Sequence, residues 1–284
     1  MNAVNKLLNI DKVSLVFAMC SPELLAIAPI LEKSQTVGFS YCATAPSISQ
    51  AGDYIFRNVP SDSYQTIFAA DYIYNDLGKG KAAVVYINND WGLGLNNAFA
   101  EAFTNEGGEI VLQEAYSPES EDLRSQMAKV KNSGADVLYF AAFPNGSIAG
   151  IRQLNELGVD ITMFGADAWD DPKIWQEVGS AGNGVYFTSA KTNSTNDFKQ
   201  RMSEKIGSDE LIYCSNYAYD GLKMLAGVIS KVGVDGTEIK DELYKTKYHG
   251  EVSQPVVEFD ENGDPAIAVY TLKRVEGGQT IVVE

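Results

Sequence analysis

Short β-rich apolar runs alternating with amphipathic helical stretches predict an α/β fold built on parallel sheet. Three observations carry this. Strand-like runs stand at Val13–Met19, Val37–Cys42, Lys81–Ile87, Glu109–Gln113, Val137–Ala141, Thr162–Phe164 and Gly184–Thr188. Helical periodicity fills the gaps at Glu23–Lys33, Ser63–Asp76, Gly92–Asn105, Leu123–Lys131, Ser147–Leu157 and Lys173–Val178. Glycines at Gly107-Gly108, Gly134 and Gly158 follow helices, where a left-handed cap is wanted.

The later chain changes character. Asn196–Ile206 and Ile212–Val232 read as helices, the second punctuated by Gly221 and Gly227. From Val256 the pattern is antiparallel: Val256–Phe259, a turn at "DENGD", Ala266–Arg274, a turn at Gly277-Gly278, and Ile281–Val283. An α/β body with a β-ribbon tail implies segments that pass between two lobes.

The 284 residues suffice for one large domain or two ordinary lobes. A net charge of −16 sets the surface against phosphate backbones, so nucleic acid is excluded as a partner. No apolar run approaches the ~20 residues that span a bilayer. "MNAVNKLLNIDK" lacks the basic start and apolar centre of a signal peptide, which taken alone reads as cytoplasmic. Three widely spaced cysteines support neither zinc nor a disulfide framework; buried free thiols are expected, with a Cys20–Cys42 bond as the alternative.

The single histidine, His249, argues against a multi-histidine metal site and a Ser-His-Asp triad, so no metal and no cofactor is expected. "NNDWGLGL" (88–95) has neither the third glycine of a dinucleotide fingerprint nor a P-loop's Gly-Lys-Ser/Thr; it reads as a strand-to-helix turn that shows Trp91 at a sheet's C-terminal edge. "DENGDP" (260–265) has Pro265 where a calcium loop needs glycine, and reads as a tight turn.

"AMCSPELLAIAP" (18–29) and "SYCATAPSI" (40–48) each end a strand on a small hydroxyl residue, Ser21 and Thr44. Hydroxyls beside free backbone N–H groups form a neutral carboxylate site, and the same residues also serve as plain N-caps. "FGADAWDD" (164–171) puts Asp167 directly after a strand, with Asp170 and Asp171 better placed to cap the next helix. One acid, two hydroxyls and the aromatics Trp91, Phe143, Trp169 and Tyr217 describe a zwitterion pocket, in which Asp167 is the ammonium's counter-ion.

The segments "AMCSPELLAIAPILEK", "SYCATAPSIS", "YIFRNVPSDSYQ", "AAVVYINNDWGLGL", "ADVLYFAAF", "IRQLNELGV", "FGADAWDDP" and "YAYDGLKMLA", in this order, resemble the periplasmic solute-binding proteins of branched-chain amino-acid ABC transporters. The resemblance implies two doubly wound parallel-sheet lobes joined by three crossings near Ser61, Ser189 and Phe259. Lobe one would be 1–61 plus 190–258, and lobe two 62–189 plus 259–284. It further implies that Met19, Cys20, Ser21, Ala43 and Thr44 hold a ligand carboxylate. Trp91, Phe143 and Trp169 would form walls, Asp167 would bind the α-ammonium, and Tyr217 would line lobe one. By the same resemblance the chain acts as a monomer outside the cytoplasm. It captures an amino acid by cleft closure for a membrane ABC permease, without enzymatic activity.

The family opens with a further strand, ligand loop and helix before the segment that matches Val13, so an N-terminally truncated chain is expected. A ligand-sensing regulatory domain of the same fold is the second reading. An α/β enzyme with Asp167 as base is the third, and it lacks a second titrating group.

Overall fold

The computed structural model describes residues 2–207, 211 and 213–283. The elements run α1 (Asn2–Asn9), β1 (Leu15–Ala18), α2 (Ser21–Lys33), β2 (Val37–Ser40), β3 (Ile55–Arg57), α3 (Asp62–Asp71), β4 (Lys81–Ile87) and α4 (Asp90–Asn105). Then come β5 (Glu109–Tyr116), α5 (Arg124–Asn132), β6 (Val137–Ala141), α6 (Pro144–Glu156), β7 (Thr162–Gly165), α7 (Pro172–Val178) and β8 (Tyr186–Ala190). The chain continues through α8 (Asn196–Ile206), α9 (Ser215–Val232), α10 (Gly236–Leu243), β9 (Tyr270–Glu276) and β10 (Gln279–Val283). They form two compact units: unit 1 is Met1–Ser61 with Lys191–Val269, and unit 2 is Asp62–Ala190 with Tyr270–Glu284.

Unit 1 contains a parallel sheet of order β1-β2-β3, with Leu15 opposite Val37 and Gly38 opposite Ile55. Every residue of β2 and β3 is buried, as expected of parallel strands covered on both faces. On one side, Leu24, Ala28 and Leu31 of α2 meet Val4 of α1 and Val16, Ala18 and Ile55 of the sheet. On the other, Met224, Leu225 and Val228 of α9 and Ile239 and Leu243 of α10 pack on Phe39 and Phe56. The stripe Tyr217, Asp220, Gly221, Met224, Leu225 and Val228 is the buried face of an amphipathic helix. Ile212, where the sequence placed the start of α9, lies outside the described residues.

Unit 2 holds a seven-stranded sheet of order β10-β9-β8-β7-β6-β4-β5. Five strands, β8 to β5 in that order, are parallel; β9 and β10 are antiparallel additions at one side. Its core is rich in stacked rings, including Phe99 on Tyr139 at 4.0 Å between centroids. Because β6 pairs on the side of β4 away from β5, the winding direction reverses between β4 and β6. At such a switch the following loops diverge, leaving room at the C-terminal ends of the strands.

The third crossing departs from the sequence expectation. It falls after Val269, not near Phe259. The 256–265 stretch stays with unit 1 because Val257 bridges Tyr248 and Phe259 bridges Pro265, and because Arg57 N–H donates to the Gly263 carbonyl at 3.0 Å. The second crossing, at Ala190, lies one residue past the expected one.

The cysteines differ too. Cys42 is bonded to Cys214, 172 positions away, and Cys20 is the free thiol. Cys20 and Cys42 are near in sequence, but the thiol at the start of α9 is the one brought to Cys42.

Candidate functional site

In unit 1, two strand ends present the expected carboxylate residues. Cys20, not Ser21, occupies the N-cap position of α2, and Ala45 holds that position ahead of the 3₁₀ turn Pro46–Gln50; neither cap makes a side-chain bond. Ser21 and Thr44 each stand one position away from the N-cap residue itself. Ser21 is buried, and its Oγ accepts the Ala45 N–H at 3.1 Å, tying the first loop to the second. Ser40 Oγ accepts the N–H groups of Cys42 and Ala43 at 3.2 and 3.0 Å and donates to the Met19 carbonyl at 2.9 Å. Ala43 and Thr44 are buried, whereas Met19 is 45% exposed. Tyr217, on the first turn of α9, is buried and its carbonyl accepts Asn58 Nδ2–H at 2.8 Å.

The Cys20 thiol is pushed up to about 11, first by burial and then by neighbouring Glu23. It is thus held as the neutral, poorly nucleophilic form.

The most constrained group in unit 1 is one that sequence reasoning missed. Arg57, the last residue of β3, is fully buried. Its Nε and Nη2 donate to Asp264 at 2.6 and 2.8 Å, Nη2 also to Ser49 Oγ at 2.9 Å, and Nη1 to the carbonyls of Ala43 and Ala45 at 3.2 and 2.9 Å. Asp264 ends the "DENGD" turn, in which Asp260 Oδ1 accepts the N–H groups of Asn262 and Asp264. That tight turn was legible; its partner was not. Gly263 is required there, since its φ is +73° and an added Cβ would lie 2.2 Å from the Ile55 carbonyl oxygen.

In unit 2, the two loops at the switch point carry the aromatic residues. Trp91 opens α4, whose N-cap Asn89 accepts the Gly92 N–H at 2.8 Å; Phe143 is the N-cap residue of α6. Their rings stack at 4.6 Å between centroids and 9° between planes. Such a pair is worth about 0.5–1.5 kcal/mol beyond the area it buries.

Asp167 follows β7 by two residues and is 1% exposed. Capping of α7 falls to Asp171, which accepts the Lys173 N–H at 2.9 Å, while Asp170 is held by Lys273 at 2.7 Å and by the Ser189 hydroxyl at 2.6 Å. The other two acids of "DAWDD" are thus committed elsewhere. Asp167 Oδ1 accepts the Ala168 N–H at 2.9 Å, and its own N–H donates to Gln65 Oε1 at 3.2 Å. That same oxygen accepts the Thr188 hydroxyl at 2.6 Å, and Gln65 Nε2 donates to Asp62. Gln65, invisible as a site residue in the sequence, joins α3, β8 and the Asp167 turn. The nearby Tyr139 phenol is held well above the usual range by burial, then by Asp62 and Asp167.

Trp169, expected as a pocket wall, has a different place. It is fully buried, its Nε1–H donates to the Ala142 carbonyl at 3.2 Å, and its ring packs edge-on to Phe140 and against Trp175. Gly165 admits that ring, as a Cβ there would lie 2.1 Å from it. Trp169 supports the Asp167 turn from inside the core. Among the described residues no cluster of three or more His, Cys, Asp or Glu side chains is placed to hold a metal.

The two units, each a wound α/β layer, define a bilobal binding-protein fold. The chain belongs to the periplasmic binding protein family, whose sequence profile matches residues 1–279. It is 23% identical over 266 residues to a Leu/Ile/Val-binding protein homologue of Brucella melitensis, covering 91% of this chain and 71% of that protein. Among solved structures, a leucine-binding protein of Thermotoga maritima superposes with a TM-score of 0.90 at 24% identity, covering 100% of this chain and 82% of that one. A solute-binding protein of an R. palustris ABC transporter, crystallised with benzoate, reaches a TM-score of 0.87 at 16% identity, covering 99% and 80%.

Proposed function

We propose that this chain is a non-enzymatic, extracytoplasmic solute receptor that captures an amino acid with an apolar or aromatic side chain and hands it to a membrane ABC importer, acting as a monomer. The reading rests on membership of the periplasmic binding protein family and on one observation above all: Asp167, a buried carboxylate released from helix capping by Asp171. An α-ammonium set against this carboxylate would bring the opposite charge together with directed N–H donors.

In unit 1 the carboxylate of the solute meets neutral groups. Ser21 accepts one N–H and keeps its own hydrogen for a solute oxygen, and Thr44 adds a second hydroxyl. In unit 2 the buried Trp91 backs Phe143, whose ring would supply an apolar wall for the side chain. The relatives named for leucine, isoleucine and valine favour branched-chain solutes, and the benzoate-bound neighbour keeps aromatic acids in the test.

Isothermal titration calorimetry of the chain against the twenty amino acids and benzoate decides. One-to-one binding of an apolar amino acid that disappears in Asp167→Ala supports the proposal. Binding of benzoate alone, unaffected by Asp167→Ala, moves the ligand class to aromatic acids. Amino-acid binding unaltered by Asp167→Ala removes the counter-ion assignment.

A further inference from the structure

The Arg57 guanidinium uses all five of its N–H donors: one on Asp264 through Nε, one each on the Ala43 and Ala45 carbonyls through Nη1, and one each on Ser49 and Asp264 through Nη2. Asp264 is buried as well, and it also accepts the Ser49 hydroxyl at 2.6 Å. The two loop carbonyls so held belong to the residues on either side of Thr44. The N–H groups of those same residues are held by Ser40 and Ser21. Both peptide planes flanking Thr44 are thus anchored, the Ala43 carbonyl by Arg57 and the Ala45 N–H by Ser21, and with Ser40 three side chains from different stretches of unit 1 hold the segment.

We propose that the Arg57–Asp264 pair is a positioning device that fixes the Ala43–Ala45 segment in the shape in which Thr44 receives the carboxylate of a solute. The inference rests on the amino-acid-receptor reading above. Its physical basis is the planar fork of arginine: a single rigid group reaches two carbonyls, a hydroxyl and a carboxylate at once, which the point charge of lysine cannot do. Asp264 has a second task. A buried guanidinium without it would draw the solute carboxylate to itself; paired, Arg57 aligns the loop while the receiving groups stay neutral. Pre-set geometry of this kind saves the ordering that binding otherwise costs.

The test uses the full chain, L-leucine as probe and three variants. Arg57→Lys keeps the charge and removes the fork. Asp264→Asn keeps the shape and removes the negative charge, and it carries the same reading should Arg57→Lys fail to fold. Leu243→Ala opens the unit 1 core at a distance from the loop. Expected are a Kd raised on the order of tenfold to a hundredfold in Arg57→Lys and Asp264→Asn, and a displaced Thr44 amide resonance in both solute-free proteins. Leu243→Ala, although destabilised, keeps the wild-type Kd and Thr44 resonance. Wild-type affinity in Arg57→Lys or, failing its folding, in Asp264→Asn overturns the proposal. So does an equal loss of affinity in Leu243→Ala, which reduces the pair to a source of stability. If the wild-type chain ignores L-leucine and every other amino acid, the receptor reading falls first and takes the proposal with it. If the wild type binds and the variants do not differ from it, only the positioning role falls.

Discussion

The two units hold the residues proposed here for solute binding by opposite means. In unit 1 the segment around Thr44 is fixed by directional bonds: a buried ion pair, serine hydroxyls and the Cys42–Cys214 disulfide. In unit 2 Trp91 and Phe143 sit on each other and on an aromatic core, and Asp167 is steadied by a polar network. The contrast follows from what each contact must do. A carboxylate is recognised by a few atoms within a few tenths of an ångström, so the loop that meets it needs directional restraint. An apolar side chain is recognised by area, and packed rings supply area without angular precision.

Asp167→Asn keeps the shape and the bond to the Ala168 N–H but, on the proposed role, would leave the α-ammonium without its counter-charge, at a cost of about 3–5 kcal/mol. Titration with L-leucine is expected to find affinity lower by about two to four orders of magnitude. An unchanged Kd would show that recognition in unit 2 is aromatic only.

Next in size is the disulfide. Replacing Cys42 and Cys214 together by serine is expected to remove about 2–5 kcal/mol from unit 1. All three tryptophans, Trp91, Trp169 and Trp175, belong to unit 2, so fluorescence follows that unit alone. Urea unfolding watched by circular dichroism should shift, with the tryptophan transition staying in place. Coincident shifts would mean that the two units unfold as one.

Smaller still is Trp91→Phe, which keeps a ring over Phe143 but reduces its area. About 1 kcal/mol of affinity for L-leucine is expected to go, roughly fivefold in Kd. A loss as large as that of Asp167→Asn would make the stack a directional contact after all.

The smallest effect on binding is expected at Cys20, where the readout is pH. Its thiol ionises near 11 in the folded chain against an ordinary value of 9.0. The folded state therefore holds the proton more tightly, and the stability this lends is present below about 9 and lost as pH rises toward 11. Iodoacetamide should label native protein slowly at pH 8 and faster as pH approaches 11, while the denatured chain labels readily at both. Fast native labelling at pH 8 would show an accessible thiolate.

Much of the layer order was legible because parallel strands buried on both faces read as unbroken apolar runs. Lys81–Ile87 and Val137–Ala141 have the bounds expected of them. β3 escaped because three residues carry no periodicity, and α1 and α10 because each spans only eight. The hydroxyls and the acid of the candidate site were visible as strand-end residues in an open α/β layer. Their supports were not: Arg57 and Asp264 stand 207 positions apart, and nothing local in either announces the other. Gln65 reads as an ordinary polar residue on a helix until the fold sets it against Asp167. Trp169 was misplaced for a related reason, since a tryptophan beside a candidate acid looks the same in sequence whether it faces solute or core.

The disulfide also bears on the order in which the chain is made. Residues 62–190, most of unit 2, are emitted from the ribosome between Cys42 and Cys214, so Cys42 must wait as a thiol while its nearest cysteine neighbour in sequence, Cys20, is already present. Once α2 and its preceding loop have formed, the raised ionisation of Cys20 makes it a poor competitor for that partner. Closure at Cys214 then welds together two stretches of unit 1 that were synthesised far apart in time. A chain arrested before residue 214 has no partner of this kind for Cys42, and a non-native Cys20–Cys42 crosslink is its only intramolecular outlet.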